Sequence, residues 1–117
     1  MSGNILVADD DREMLDLYSR LFTHHGYDCA LAESIAEAAA LIGERDFDLL
    51  VTDLMFPDGL GTDLAKRFAE KYGGQQSILV TGCPPAPEAL ANWPVSVCLP
   101  KPVDTKKLIR AVRKALA

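Results

Sequence analysis

Three carboxylates, Asp9, Asp10 and Asp11, stand in a row directly after the apolar run NILVA. Side by side they repel and hold their protons more tightly, unless something cationic or the solvent compensates. Either a helix start accommodates them or a metal ion does. The free N–H groups and dipole of a helix start favour acids, and Asp10 with Glu13 has the spacing of a capping box. A fourth acid, Asp53, follows DLLVT, Thr81 follows SILV, and Lys101 follows VSVCLP. Acids, a hydroxyl and an ammonium together make a set that can hold a phosphoryl group. Oxygen-only donors favour Mg2+, the cation and the lysine neutralise phosphoryl charge, and a carboxylate can be the acceptor. Taken singly, each residue has a plainer use: Asp53 as a turn residue, Thr81 as a strand terminus, Lys101 as a surface lysine.

These residues do chemistry only if the chain brings them together. Short apolar runs at 4–8, 28–31, 48–52, 77–80 and 95–99 read as strands. Between them run amphipathic helices. The first turns Met14, Leu15, Tyr18, Leu21, Phe22 and His25 inward and stops at Gly26. The second opens with the capping box Ser34–Glu37 and buries Ile35, Ala38, Ala39 and Ile42. The third spans 62–72, with Leu64, Ala65, Phe68 and Tyr72 inward. Pro84, Pro85, Pro87 and Pro94 leave room only for a short helix around 86–92. Asp104 caps the last helix, which buries Leu108, Ile109, Val112 and Leu116. Five βα units predict an α/β fold, a parallel sheet with helices on both faces. Ligands bind such sheets outside the carboxyl ends of the strands, and every candidate residue lies at one.

The rest of the composition narrows the class. At 117 residues the chain suits one domain, 1–117. Its formal charge of −5 argues against nucleic-acid binding by the domain as a whole. The segment 101–117 carries six basic residues and one acid, which leaves the first hundred residues at −10. That basic helix face reads first as a solvated surface. No run approaches a membrane span. Cys29, Cys83 and Cys98 are odd in number and widely spaced, which fits thiols in a reducing cytoplasm rather than disulfides or zinc.

In order along the chain, LVADD, DLMFPDGLG, ILVTG and LPKP resemble the receiver domain of two-component response regulators. Each motif alone is weak; in register with five βα units they are specific. The resemblance implies a doubly wound (βα)5 flavodoxin-like fold with parallel strand order 2-1-3-4-5. It implies that Asp53 accepts the phosphoryl group from a sensor histidine kinase or a histidine phosphotransfer protein. Asp10, Asp53 and the backbone carbonyl of Met55 would bind Mg2+, with Asp9 acting largely through water. Thr81 and Lys101 would hold phosphoryl oxygens, Lys101–Pro102 would be cis, and a downstream output domain or protein would read the switch. Pro57, Gly59 and Gly61 match the loop after the acceptor. Cys98 departs from the family, which usually has Tyr or Phe there, and the proline-rich stretch departs from its regular fourth helix.

Two rivals are weaker on the residues. An aspartyl-nucleophile phosphatase of the haloacid dehalogenase type carries a second Asp two positions after the nucleophile, where this chain has Met55, which cannot move a proton. A degenerate receiver that binds partners without phosphate would lack some of the five site residues, and all are present. A signalling module that modifies only itself, not an enzyme with a diffusible substrate, is the expectation.

Overall fold

The computed structural model describes residues 3–117. In chain order the elements are β1 (Asn4–Ala8), α1 (Arg12–His24), β2 (Asp28–Ala32), α2 (Ile35–Glu44), β3 (Leu49–Thr52), β4 (Met55–Phe56), β5 (Gly59–Leu60), α3 (Gly61–Lys71), β6 (Ser77–Thr81), α4 (Pro87–Leu90), β7 (Val95–Pro100) and α5 (Thr105–Leu116). The main sheet is parallel with order β2-β1-β3-β6-β7. Counting only its own strands, that is the expected 2-1-3-4-5. The addition is an antiparallel two-stranded hairpin, β4–β5, which pairs Met55 with Leu60 and Phe56 with Gly59.

The strands form because their side chains alternate between two apolar layers. Ile5, Val7, Leu49, Val51, Ile78 and Val80 pack with Leu15, Tyr18 and Phe22 of α1 and with Leu108, Ile109 and Val112 of α5. Leu6, Ala8 and Leu50 face the other way, onto Ala38 and Ile42 of α2 and Leu64, Ala65 and Phe68 of α3. Strands buried on both faces read as continuous apolar runs, which is why their periodicity is faint in the sequence. Burying each large aliphatic side chain contributes about 1.5–3 kcal/mol.

Asp11 caps α1, accepting the Glu13 N–H at 2.9 Å, while Asp10 lies with the acid cluster. Other helix ends depart from the sequence reading. Ser34 accepts the Glu37 N–H at 3.0 Å, but the Glu37 carboxylate accepts from Glu33 N rather than closing the box on Ser34. His25 follows the last turn of α1 and is exposed, so it is not part of the buried stripe. Asp104 caps α5 as expected, accepting from Lys106 and Lys107. The proline-bounded helix α4 shrinks to a single turn, and the Lys101–Pro102 peptide is cis.

Candidate functional site

Four side chains converge where β1, β3 and β7 end. Asp9 is 1% exposed because β1 delivers it to the floor of the site, under the start of α1. Its Oδ1 accepts the Asp11 N–H at 2.9 Å, and its Oδ2 lies 2.9 Å from Lys101 Nζ. The same ammonium lies 2.9 Å from Asp53 Oδ2, so one lysine bridges two carboxylates. Asp53 Oδ1 is oriented separately by the Leu54 N–H at 2.6 Å. Lys101 is brought in by its own backbone, whose N–H donates to the Thr81 carbonyl at 3.0 Å.

Asp10 completes a triad: one oxygen each from Asp9, Asp10 and Asp53 all lie within 4.8 Å of one another. Three carboxylates against one ammonium leave a surplus of negative charge. Burial holds the Asp9 carboxyl above the usual range; the Asp11 N–H and Lys101 oppose that shift, and the Asp53 charge adds to it. For Lys101, burial alone would lower the pKa, but hydrogen bonds and charge from Asp53 and Asp9 raise it above the ordinary lysine value. The surplus is of the sign a hard cation would offset, and the carboxylates offer only oxygen donors, the kind Mg2+ takes.

The repulsion is not evenly shared. Asp9 is committed to Lys101 and to Asp11, whereas the exposed Asp10 side chain has no hydrogen-bond partner among the described residues. Asp10→Asn is therefore expected to raise metal-free stability by up to about 1 kcal/mol. Urea melts in low-salt buffer with chelator check this, and lower stability would contradict it. Asp9→Asn removes the partner of an ion pair and is expected to give no such gain.

The structure places the other candidates less directly. Thr81 is buried at the end of β6, its hydroxyl accepting the Cys83 N–H at 3.1 Å. It adjoins Lys101 through the backbone and makes no side-chain bond to the acids. The Met55 side chain is 58% exposed, so its chemistry at the site would be that of its carbonyl. Gly61 approaches β3 so closely that its N–H donates to the Leu54 carbonyl at 2.7 Å. Two residues to which the sequence reading gave no role at the site bear on it. Tyr18 buries its phenol where the charges of Asp9 and Asp53 reach it, and burial first, those charges second, raise its pKa. Asp58 ties the loop after Asp53 to α2. The Asp–Gly pair at 58–59 is the hairpin signal that could have revealed that loop.

The sequence and the fold have counterparts in known proteins. The family model for the response regulator receiver domain matches residues 5–113. NtrC, a DNA-binding transcriptional regulator of Bradyrhizobium sp. (strain RP501 Parasponia), is 29% identical over 99% of this chain and 25% of its own length. The transcriptional regulatory protein GlrR of Escherichia coli K12 is 31% identical over 97% of this chain and 26% of its own length. The chain thus spans about a quarter of these two regulators. A CheY-like receiver domain from Methanospirillum hungatei superposes with a TM-score of 0.91 at 27% identity, covering 99% of this chain and 94% of that one. The response regulator TrrA of Thermotoga maritima, in complex with Mg2+-BeF, gives 0.87 at 26% identity, covering 97% and 98%. With acids at the ends of β1 and β3, a lysine after β7 and this strand order, the chain belongs to the response regulator receiver domain family, whose function is to accept phosphoryl groups in two-component signalling.

Proposed function

We propose that residues 1–117 form one receiver domain in which Asp53 accepts a phosphoryl group from the phosphohistidine of a sensor kinase or phosphotransfer protein. The observation that carries this reading is the Lys101 bridge, with Nζ 2.9 Å from both Asp9 and Asp53 and Asp10 alongside. An oxygen of Asp53 attacks phosphorus, the P–N bond breaks, and the imidazole leaves with the bonding electrons. Lys101 already bonds Asp53 Oδ2, so its ammonium is placed to pair with an oxygen of the newly attached group. Thr81 Oγ uses a lone pair for Cys83 N, which leaves its hydroxyl proton to donate to another phosphoryl oxygen. Asp10, Asp53 and the Met55 carbonyl would hold Mg2+, with Asp9 reaching it through water. Mg2+ held there would neutralise negative charge on the acceptor carboxylate and on the phosphoryl oxygens.

The chain on this reading modifies itself and slowly loses the phosphoryl group to water, turning over no diffusible substrate. It works in the cytoplasm and passes its state to an output domain or protein. No helix among the described residues is long and apolar enough to cross a membrane. Incubation with acetyl phosphate and Mg2+ is expected to add one phosphoryl mass. Chelator, or Asp53→Asn, is expected to abolish stoichiometric labelling; equal labelling of the variant at another residue would sink the assignment.

A further inference from the structure

The turn that follows Asp53 is tied to α2, a helix that carries none of the site residues. Both carboxylate oxygens of Asp58 accept backbone N–H groups there, Oδ1 from Ile35 at 3.1 Å and Oδ2 from Ala36 at 3.0 Å. These are the first two residues of α2, whose N–H groups have no partner within the helix. Ser34 Oγ serves the next one, on Glu37. The first turn of α2 is thus capped by the adjacent Ser34 and by a residue more than twenty positions away. The two N–H bonds, Ala36 first, hold the Asp58 carboxyl below the usual range, so it stays charged at neutral pH.

Asp58 lies in the two-residue connection of the β4–β5 hairpin, between Phe56 and Gly59. A hairpin with two residue pairs is marginal by itself and needs outside support. Phe56 gives it one anchor, buried in the cluster with Ala38 and Ile42 of α2. Close approach to Ile35 gives another: a Cβ on Gly59 would lie 3.4 Å from that side chain. Asp58 supplies the polar one. The hairpin begins at Met55, two residues beyond Asp53, and its end leads into Gly61 beside the Asp53 backbone.

We infer that Asp58 is a positioning residue for the phosphorylation site: its clamp on α2 fixes the backbone that leaves Asp53, including the Met55 carbonyl. The metal consequence rests on the cation site proposed above. Two variants separate this role from plain support of α2. Asp58→Ala removes the clamp, whereas Ser34→Ala removes a cap from the same helical turn without touching the hairpin. In metal-free protein, Asp58→Ala is expected to speed amide hydrogen exchange across 54–61, and Ser34→Ala to speed it only in α2. With Mg2+ followed by calorimetric titration, Asp58→Ala is expected to weaken binding about tenfold, the lower end of the usual effect of losing a supporting group. Asp58→Asn, which keeps one acceptor oxygen, is expected to fall between that variant and wild type. Wild-type exchange across 54–61 in Asp58→Ala would overturn the inference, as would a Ser34→Ala protein that matches it in both readouts. Should the wild-type protein itself bind no Mg2+, the cation reading fails, and the exchange comparison still decides whether Asp58 holds the turn.

Discussion

Lys101→Met is expected to destabilise the metal-free protein by about 3 kcal/mol, the lower end for breaking a buried ion pair. The variant keeps most of the apolar stem and removes only the ammonium. Asp9 and Asp53, 1% and 12% exposed at their side chains, would then face each other and Asp10 with no cation. In a domain of this size that corresponds to a fall in Tm of roughly 10 °C. Mg2+ should return much of the loss, because it supplies positive charge to the same carboxylates. The pH dependence follows from Asp9, whose carboxyl holds its proton more tightly folded than unfolded. A raised carboxyl pKa gives stability that is present at low pH and lost as pH rises through the folded pKa. Without Lys101 that rise should be larger, so the gap between variant and wild type should narrow as pH falls from 7 toward 4. Urea melts with and without Mg2+ at both pH values test the account, and an equal loss under every condition would refute it.

Gly61→Ala should be about as damaging, by a steric route. A Cβ at this position would lie 1.8 Å from the Asp53 carbonyl oxygen and 2.9 Å from Thr52 Oγ1. The obstruction is backbone, and that backbone is held. Asp53 N donates to the Ala8 carbonyl at 3.0 Å, and Thr52 Oγ1 donates to the Asp53 carbonyl at 2.8 Å. Either α3 moves away from β3 or the Asp53 peptide rotates. Overpacking of this kind costs about 3 kcal/mol, and the displaced acceptor should lose at least tenfold in labelling rate with acetyl phosphate. Gly43→Ala is the control: its Cβ would meet nothing within 4 Å, and in the last turn of α2 it should stabilise by about 0.5 kcal/mol. Thermal melts of the two variants should therefore move in opposite directions.

Most of the sheet and four of the clustered side chains were legible because two simple rules coincide. Apolar runs bounded by turn residues mark the strands, and parallel α/β sheets place their chemistry where those runs end. Asp9, Asp10, Asp53 and Lys101 needed nothing more. The hairpin left only its Asp58–Gly59 turn as a signal, since strands of two residues are too short to show a period. Asp58 escaped for another reason: as a helix cap it acts on α2 from a distant loop, while capping rules read only neighbouring residues. Adjacent acids also mask one another. Asp10 and Asp11 are both plausible caps for α1, and only the backbone path decides that Asp11 does the capping while Asp10 turns to the acid cluster.

One strand boundary bears on how separate molecules behave in concentrated solution. On the side away from β6, β7 has no neighbouring strand among the described residues, so its outward backbone groups could template another chain. Lys101 N points inward, to the Thr81 carbonyl, so the nitrogen of the preceding Pro100 points outward. Proline has no hydrogen there to offer. An incoming strand would find its ladder cut short just where β7 reaches the cluster of Lys101 with Asp9 and Asp53. The open rim of the sheet is thereby guarded against edge-to-edge aggregation at the end that carries the clustered side chains.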